Sequence, residues 1–110
     1  LRYIEIVSWA NPLNTEQDAL DLVALCGEYE TNLLMLHAQV LSDDFFKLKT
    51  GVAGRVVQKF INYYLKVAAI IPAEKVNVGR FKDMAMEANR GNHFRIFREK
   101  EEAEKWLINS

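Results

Sequence analysis

Apolar and polar positions follow two alternating rhythms along this chain. Tyr3-Ile4-Glu5-Ile6-Val7 is β-branched and aromatic, which predicts a strand. Pro12 and the Asn and Thr residues at 11–15 break it. Thr15-Glu16-Gln17-Asp18 then reads as a capping-box variant, with a hydroxyl that accepts an orphan N–H and acids beside the positive helix end. Ala19, Leu22, Val23 and Cys26 recur at three- and four-residue spacing, an amphipathic helix expected to end at Gly27. Leu33-Leu34-Met35-Leu36 is a short continuous apolar run, as in a strand covered on both faces. Leu65 to Ile71 is a third strand, stopped by Pro72, and Phe94-Arg95-Ile96-Phe97 a fourth. Between them Phe81, Met84, Ala85 and Ala88 share one face of a helix over 81–89, closed near Gly91. Glu99 to Lys105 opens a terminal helix with acids in its first turn, and Ala103, Trp106 and Leu107 supply its inner face.

Residues 42–66 carry the most information. Ser42, Asp43 and Asp44 predict a helical start, but Phe45 and Phe46 follow too soon for more than a single turn. Thr50 is the expected N-cap of a longer helix. From there Ala53, Val56, Val57, Phe60, Ile61 and Tyr64 form an apolar stripe, and Arg55, Gln58, Lys59 and Asn62 a polar ridge opposite. The order is β-α-β-α-β-α-β-α. It predicts one small α/β domain over 1–110 with a mainly parallel four-stranded sheet and right-handed crossovers.

Composition narrows the function classes. The 110 residues are 50% hydrophobic with a net charge of -1, which excludes a disordered tail, a rod and a histone-like polycation. The single cysteine, Cys26, allows neither an internal disulfide nor a thiolate metal site, and it is expected to be a buried core residue. No signal peptide and no apolar run of the roughly 20 residues a membrane helix needs is seen, so a reducing cytoplasm is the expected setting. Charge is unevenly spread: residues 1–44 sum to -7, 45–98 to +8 and 99–110 to -2. Opposite charges meeting in the fold is one reading; a basic face that meets an anion or an acidic partner is the other.

Gly51 and Gly54 are costly near a helix start, roughly 1 kcal/mol each relative to alanine. They permit either a tight turn and close packing or an anion held on bare backbone N–H groups with help from Lys47, Lys49 and Arg55. The Gly-x-x-Gly spacing is neither a Walker A loop nor a dinucleotide fingerprint. His37 ends the second strand, where α/β sheets place ligands, so it reads as an acid, base or ligand or as a hydrogen-bonded packing residue. His93 reads as a turn residue, and the two histidines show no metal spacing. Glu87, Asn89 and Arg90 read as helix-end polar residues or as a cluster beside 50–62. Tyr63 and Tyr64 are expected as core and edge aromatics. No nucleic-acid signature is present.

The run Phe45-Phe46-Lys47-Leu48-Lys49-Thr50-Gly51-Val52-Ala53-Gly54, then Gln58-Lys59-Phe60 and Asn62-Tyr63, resembles the signature F-F-x-L-x-T-G-x-A-G-x-x-x-Q-K-F-x-N-Y of a small bacterial domain-of-unknown-function family. The resemblance extends to Gln17 through Leu22 and to Glu87-Ala88-Asn89-Arg90-Gly91, where the family usually has serine at Ala88. Members usually carry one more strand ahead of the first, and the family implies no activity. A looser likeness is to the STAS, or anti-sigma-factor-antagonist, architecture, β-β-α-β-α-β-α-β-α. Its regulatory hydroxyl lies at the start of the second helix, near Thr50-Gly51, but Lys49 stands in the phosphorylated slot and Leu48 in that of the aspartate. That likeness therefore implies a fold rather than a phosphorylation site.

The expected function is a non-enzymatic regulatory or protein-interaction domain using Lys49, Thr50, Gly51, Gly54, Arg55, Lys59 and Asn62. The alternative is a small-molecule or anion-binding domain, an enzyme among the options, using the same helix N-terminus with His37. No cofactor, metal, nucleic acid or membrane is expected as a partner. A homodimer through the first strand is a further expectation.

Overall fold

Side-chain alternation along the second strand decides the layering. The computed structural model describes residues 2–109 and contains β1 (Ile4–Ile6), β2 (Leu33–His37), β3 (Lys66–Ile70) and β4 (Phe94–Phe97). Leu34 and Leu36 face one side of the sheet with Val67, Ala69, Phe94 and Ile96; Leu33 and Met35 face the other with Ala68. The sheet is parallel throughout, in the order β1-β2-β3-β4. Right-handed crossovers that always step the same way place their helices on one face. Accordingly α1 (Glu16–Glu28), α2 (Val52–Asn62) and α4 (Phe81–Ala88) build the larger core, and among the described helices only α5 (Lys100–Ile108) covers the opposite face.

The expected α/β architecture is present, with local differences. The helix over 16–28 starts at a full capping box, in which Asp18 N–H donates to Thr15 Oγ1 at 3.1 Å and Thr15 N–H to Asp18 Oδ2 at 3.0 Å. It does not stop at Gly27. The left-handed turn that ends it falls on Glu30 (φ 55°), with Thr31 N–H returning to the Cys26 carbonyl at 3.0 Å. α2 ends the same way. Tyr64 takes φ 62° and Leu65 N–H returns to the Phe60 carbonyl at 2.9 Å. That turn takes Tyr64 off the apolar stripe, and Tyr63 and Tyr64 both lie in solvent, so neither is a core residue. Val52, Ala53, Val56 and Phe60 are the buried residues of α2. A short extra helix, α3 (Ala73–Val76), follows Pro72 and was not expected from periodicity.

Asn89 accounts for the exposed side of β4. Its amide donates to the Ile96 carbonyl at 3.2 Å and accepts from Ile96 N–H at 2.7 Å, occupying both outward backbone groups of an edge residue. Glu87 and Arg90 form an exposed ion pair with each other at 3.6 Å.

Candidate functional site

The segment leading into α2 is built from its own backbone outward. Leu13, fully buried, donates its N–H to the Val40 carbonyl at 2.7 Å and accepts from Ser42 N–H at 3.1 Å, which pins the β1–α1 loop to the end of β2. Ser42 caps the single turn Asp43–Phe46, accepting from Phe45 N–H at 3.2 Å. Phe45 is fully buried, with ring centroids 6.0 Å from Phe81 and 6.5 Å from Phe94. Phe46 lies at the surface side of this cluster, 5.1 Å from Phe81.

Thr50 closes a second short turn, Leu48–Thr50, and its side chain is fully engaged. The hydroxyl lies 2.7 Å from both the Asp44 and Lys47 carbonyl oxygens and accepts from Val52 N–H at 3.2 Å. It caps from one residue further back than expected. The N-cap itself is Gly51, in the left-handed conformation at φ 77°. A Cβ there would be conformationally strained and would stand 2.7 Å from Arg55 Nη1. Local backbone geometry therefore explains Gly51. It does not explain Gly54, whose added Cβ would meet no atom within 4 Å.

The polar ridge divides in the same manner. Arg55 Nη2 donates to the Thr50 carbonyl at 3.3 Å, Lys59 pairs with Glu16 of α1 at 3.2 Å, and Asn62 accepts from Gln58 at 2.9 Å. Lys47 and Lys49 are exposed and enter no ion pair among the described residues. Of the eleven cations between 45 and 98, only Lys59 and Arg90 are ion-paired there, so folding does not neutralise the basic stretch by direct pairing.

Lys47 borders two open clefts. One, of about 320 Å³, is lined by Asp43, Phe46, Lys47, Glu74, Lys75 and Val78. The other, of about 270 Å³, runs from Phe46 and Val78 past Lys47, Leu48 and Lys49 to Gly79 and Arg80. The shared residues Phe46, Lys47 and Val78 join them into one trough between residues 43–49 and 74–80. Lys75 Nζ sits over the Phe46 ring, 5.1 Å from its centroid, and Val78 is 60% exposed. Periodicity could not reveal this trough, because its two walls lie some thirty residues apart in sequence.

His37 is elsewhere. Its side chain stands on the α5 face of the sheet, whereas α2 packs on the other, so the structure does not bring His37 and the α2 start together. His37 Nε2 lies 2.7 Å from Glu5 Oε2, and Lys100 Nζ, from the first turn of α5, lies 3.0 Å from Glu5 Oε1. The hydrogen bond from His37 and then that from Lys100 hold the Glu5 carboxyl below its ordinary range. An ionised carboxylate only accepts, so the His37 Nε2 carries the hydrogen. No hydroxyl or thiol is hydrogen-bonded to the imidazole among the described residues. The same edge of α5 is tied at Glu104, which accepts from the Tyr3 hydroxyl at 2.5 Å and pushes the phenol up to about 12. Glu5, which sequence reading passed over, is therefore the centre of a clamp between β1, β2 and α5. Only strand register shows it, since Glu5 pairs with Met35 two residues before His37.

A pH dependence follows. Glu5 is more acidic folded than unfolded, so its contribution to stability is present above the ordinary carboxylate range near 4.3 and fades as pH falls through the lowered value. Glu5→Gln is expected to cost about 1 kcal/mol at pH 7 and progressively less towards pH 3, read from urea midpoints. A loss that stays constant with pH would rule the clamp out.

His93 is exposed beside β4, and the buried Cys26 thiol is pushed up to about 11 by desolvation, which keeps it protonated and unreactive at neutral pH. Among the described residues no helix is long and apolar enough to cross a membrane.

No curated protein and no solved structure matches the chain. A family model does match, over residues 1–107, and it covers the capped turns, the α2 start and the clamp. The chain belongs to the family described as Domain of unknown function (DUF4180).

Proposed function

We propose that this domain is a non-enzymatic protein-interaction module, and that its partner docks on the start of α2 and the turns before it. Lys47, Lys49, Gly51, Gly54 and Arg55 form the contact, Thr50 fixes its backbone, and Lys59 and Asn62 lie on its flank. The carrying observation is Gly54. It sits exposed in the first turn of α2, and an added Cβ would meet nothing within 4 Å beyond its chain neighbours and its own helix's backbone, so packing makes no use of its bareness. A helical glycine costs roughly 1 kcal/mol relative to alanine, and one use for that cost is close approach by another backbone. The unpaired Lys47 and Lys49 beside the trough support the same surface.

The reading against an enzyme or anion site rests on topology. Ligand crevices in open α/β sheets form where successive crossovers leave on opposite faces. Here α1, α2 and α4 lie on one face, and His37 is held by Glu5 on the other.

Gly54→Ala tests the proposal with opposite signs. Stability is expected to rise by about 0.5–1 kcal/mol in urea denaturation, while recovery of the partner in quantitative crosslinking falls. Lys47→Glu/Lys49→Glu is expected to lose the crosslinked partner with the melting temperature unchanged. Retention of the same partners by both variants would refute the surface.

A further inference from the structure

The trough beside Lys47 is polarised along its length. At one end Asp43 and Glu74 accompany Lys47 and Lys75; at the other, Lys47, Lys49 and Arg80 stand with no acidic residue in the lining. None of these four cations is ion-paired among the described residues. The middle is formed by Phe46, whose ring carries the Lys75 ammonium 5.1 Å from its centroid, and by the apolar Val78, which is 60% exposed. Phe46 is backed by Phe45 and Phe81, at ring-centroid distances of 5.7 and 5.1 Å, so this floor is fixed rather than adaptable.

We infer that the trough binds a linear acidic peptide segment of a partner protein, with one apolar side chain against Val78, beside the Phe46 ring that Lys75 covers, and carboxylates directed at Lys49 and Arg80. The inference rests on the interaction reading above and names the chemistry of the partner. Charge complementarity chooses the occupant. A cationic segment would meet three like charges at the basic end, and an uncharged one would leave the cations without partners. Polarity also sets direction, because the carboxylates must lie at the Lys49 and Arg80 end while the Asp43 and Glu74 end tolerates an amide or a cation. Exposed charge pairs each contribute little and are screened by salt, so the complex is expected to be weak and steeply salt-dependent.

The probes are fluorescein-labelled, end-capped octapeptides carrying one Leu or Phe two residues away from a Glu-Glu pair, with matched sets in which Gln or Lys replaces Glu. Fluorescence polarisation is expected to show binding of the Glu set to the wild-type chain. The Gln set should bind about tenfold more weakly and the Lys set not at all. Raising salt from about 0.05 to about 0.5 M should weaken the Glu set by a further tenfold or so. Lys49→Glu/Arg80→Glu should lose the Glu set and gain the Lys set, a reversal that misfolding cannot produce. Val78→Asp should lose the Glu set while leaving the circular dichroism unchanged. Equal binding of the Glu and Lys sets, or no binding by the Glu set, overturns the inference. If the Glu set fails while Lys47→Glu/Lys49→Glu still abolishes the crosslinked partner, the interaction surface stands and the acidic occupant is wrong. If that variant also keeps its partner, both readings fall.

Discussion

Phe45→Ala is expected to destabilise the domain by about 3–5 kcal/mol, as for other buried aromatic truncations. The ring is fully buried and touches Phe46, Phe81 and Phe94, which belong to three separate segments of the chain. Deleting it opens a cavity where the turn at Asp43–Phe46, the start of α4 and β4 converge, and the backbone held by Ser42 and Leu13 resists collapse into it. The same deletion removes the backing of Phe46, so the trough loses its floor along with its stability. Phe45→Leu keeps most of the volume and is expected to cost no more than about 1.5 kcal/mol. Urea denaturation at neutral pH measures both. A loss below about 1 kcal/mol for the alanine variant would mean that the aromatic cluster does not fix this end of the molecule.

Leu107→Ala is expected to cost about 2–5 kcal/mol, with a different spatial signature. Leu107 and Ala103 are the fully buried residues of α5, and they cover Leu33, Met35 and Ala68. Lys66 fastens the same end: its Nζ donates to the Trp106 carbonyl at 2.6 Å and lies 4.7 Å from the indole centroid. Burial, with Arg95 adding to it, lowers the Lys66 pKa, so the ammonium is held at some electrostatic cost and has no carboxylate partner among the described residues. Hydrogen exchange should show α5 amides losing protection first, with α1 and α2 amides retaining more. Uniform loss of protection across both faces would contradict this separation of the layers.

How far the sequence could be read follows from where each kind of information resides. The capping box at Thr15 and Asp18, the strand at Phe94–Phe97 and the inner face of α5 are local patterns, and they appear where periodicity puts them. The left-handed turns at Glu30 and Tyr64 have no local signal, because glycine normally fills that position and here a glutamate and a tyrosine do. Thr50 reads as the N-cap, yet its hydroxyl bonds the Asp44 carbonyl six residues back, and Gly51 holds the N-cap position instead. Gly51 and Gly54 look alike as letters; only the backbone angle of one and the open space above the other separate them. The Glu5 partner of His37 and the Val78–Arg80 wall of the trough depend on strand register and loop packing, which a single sequence does not encode in any short window.

The covering of one sheet face by α5 has a consequence during synthesis. A ribosome delivers α1, α2 and α4 in time to cap each new strand on their side, but Leu33, Met35 and Ala68 stay wet until the residues around Ala103 and Leu107 have left the exit tunnel. Nascent chains of this domain should therefore present a half-clad sheet to holdase chaperones until that segment emerges, and a chain truncated before Ala103 should clump rather than form a smaller folded domain.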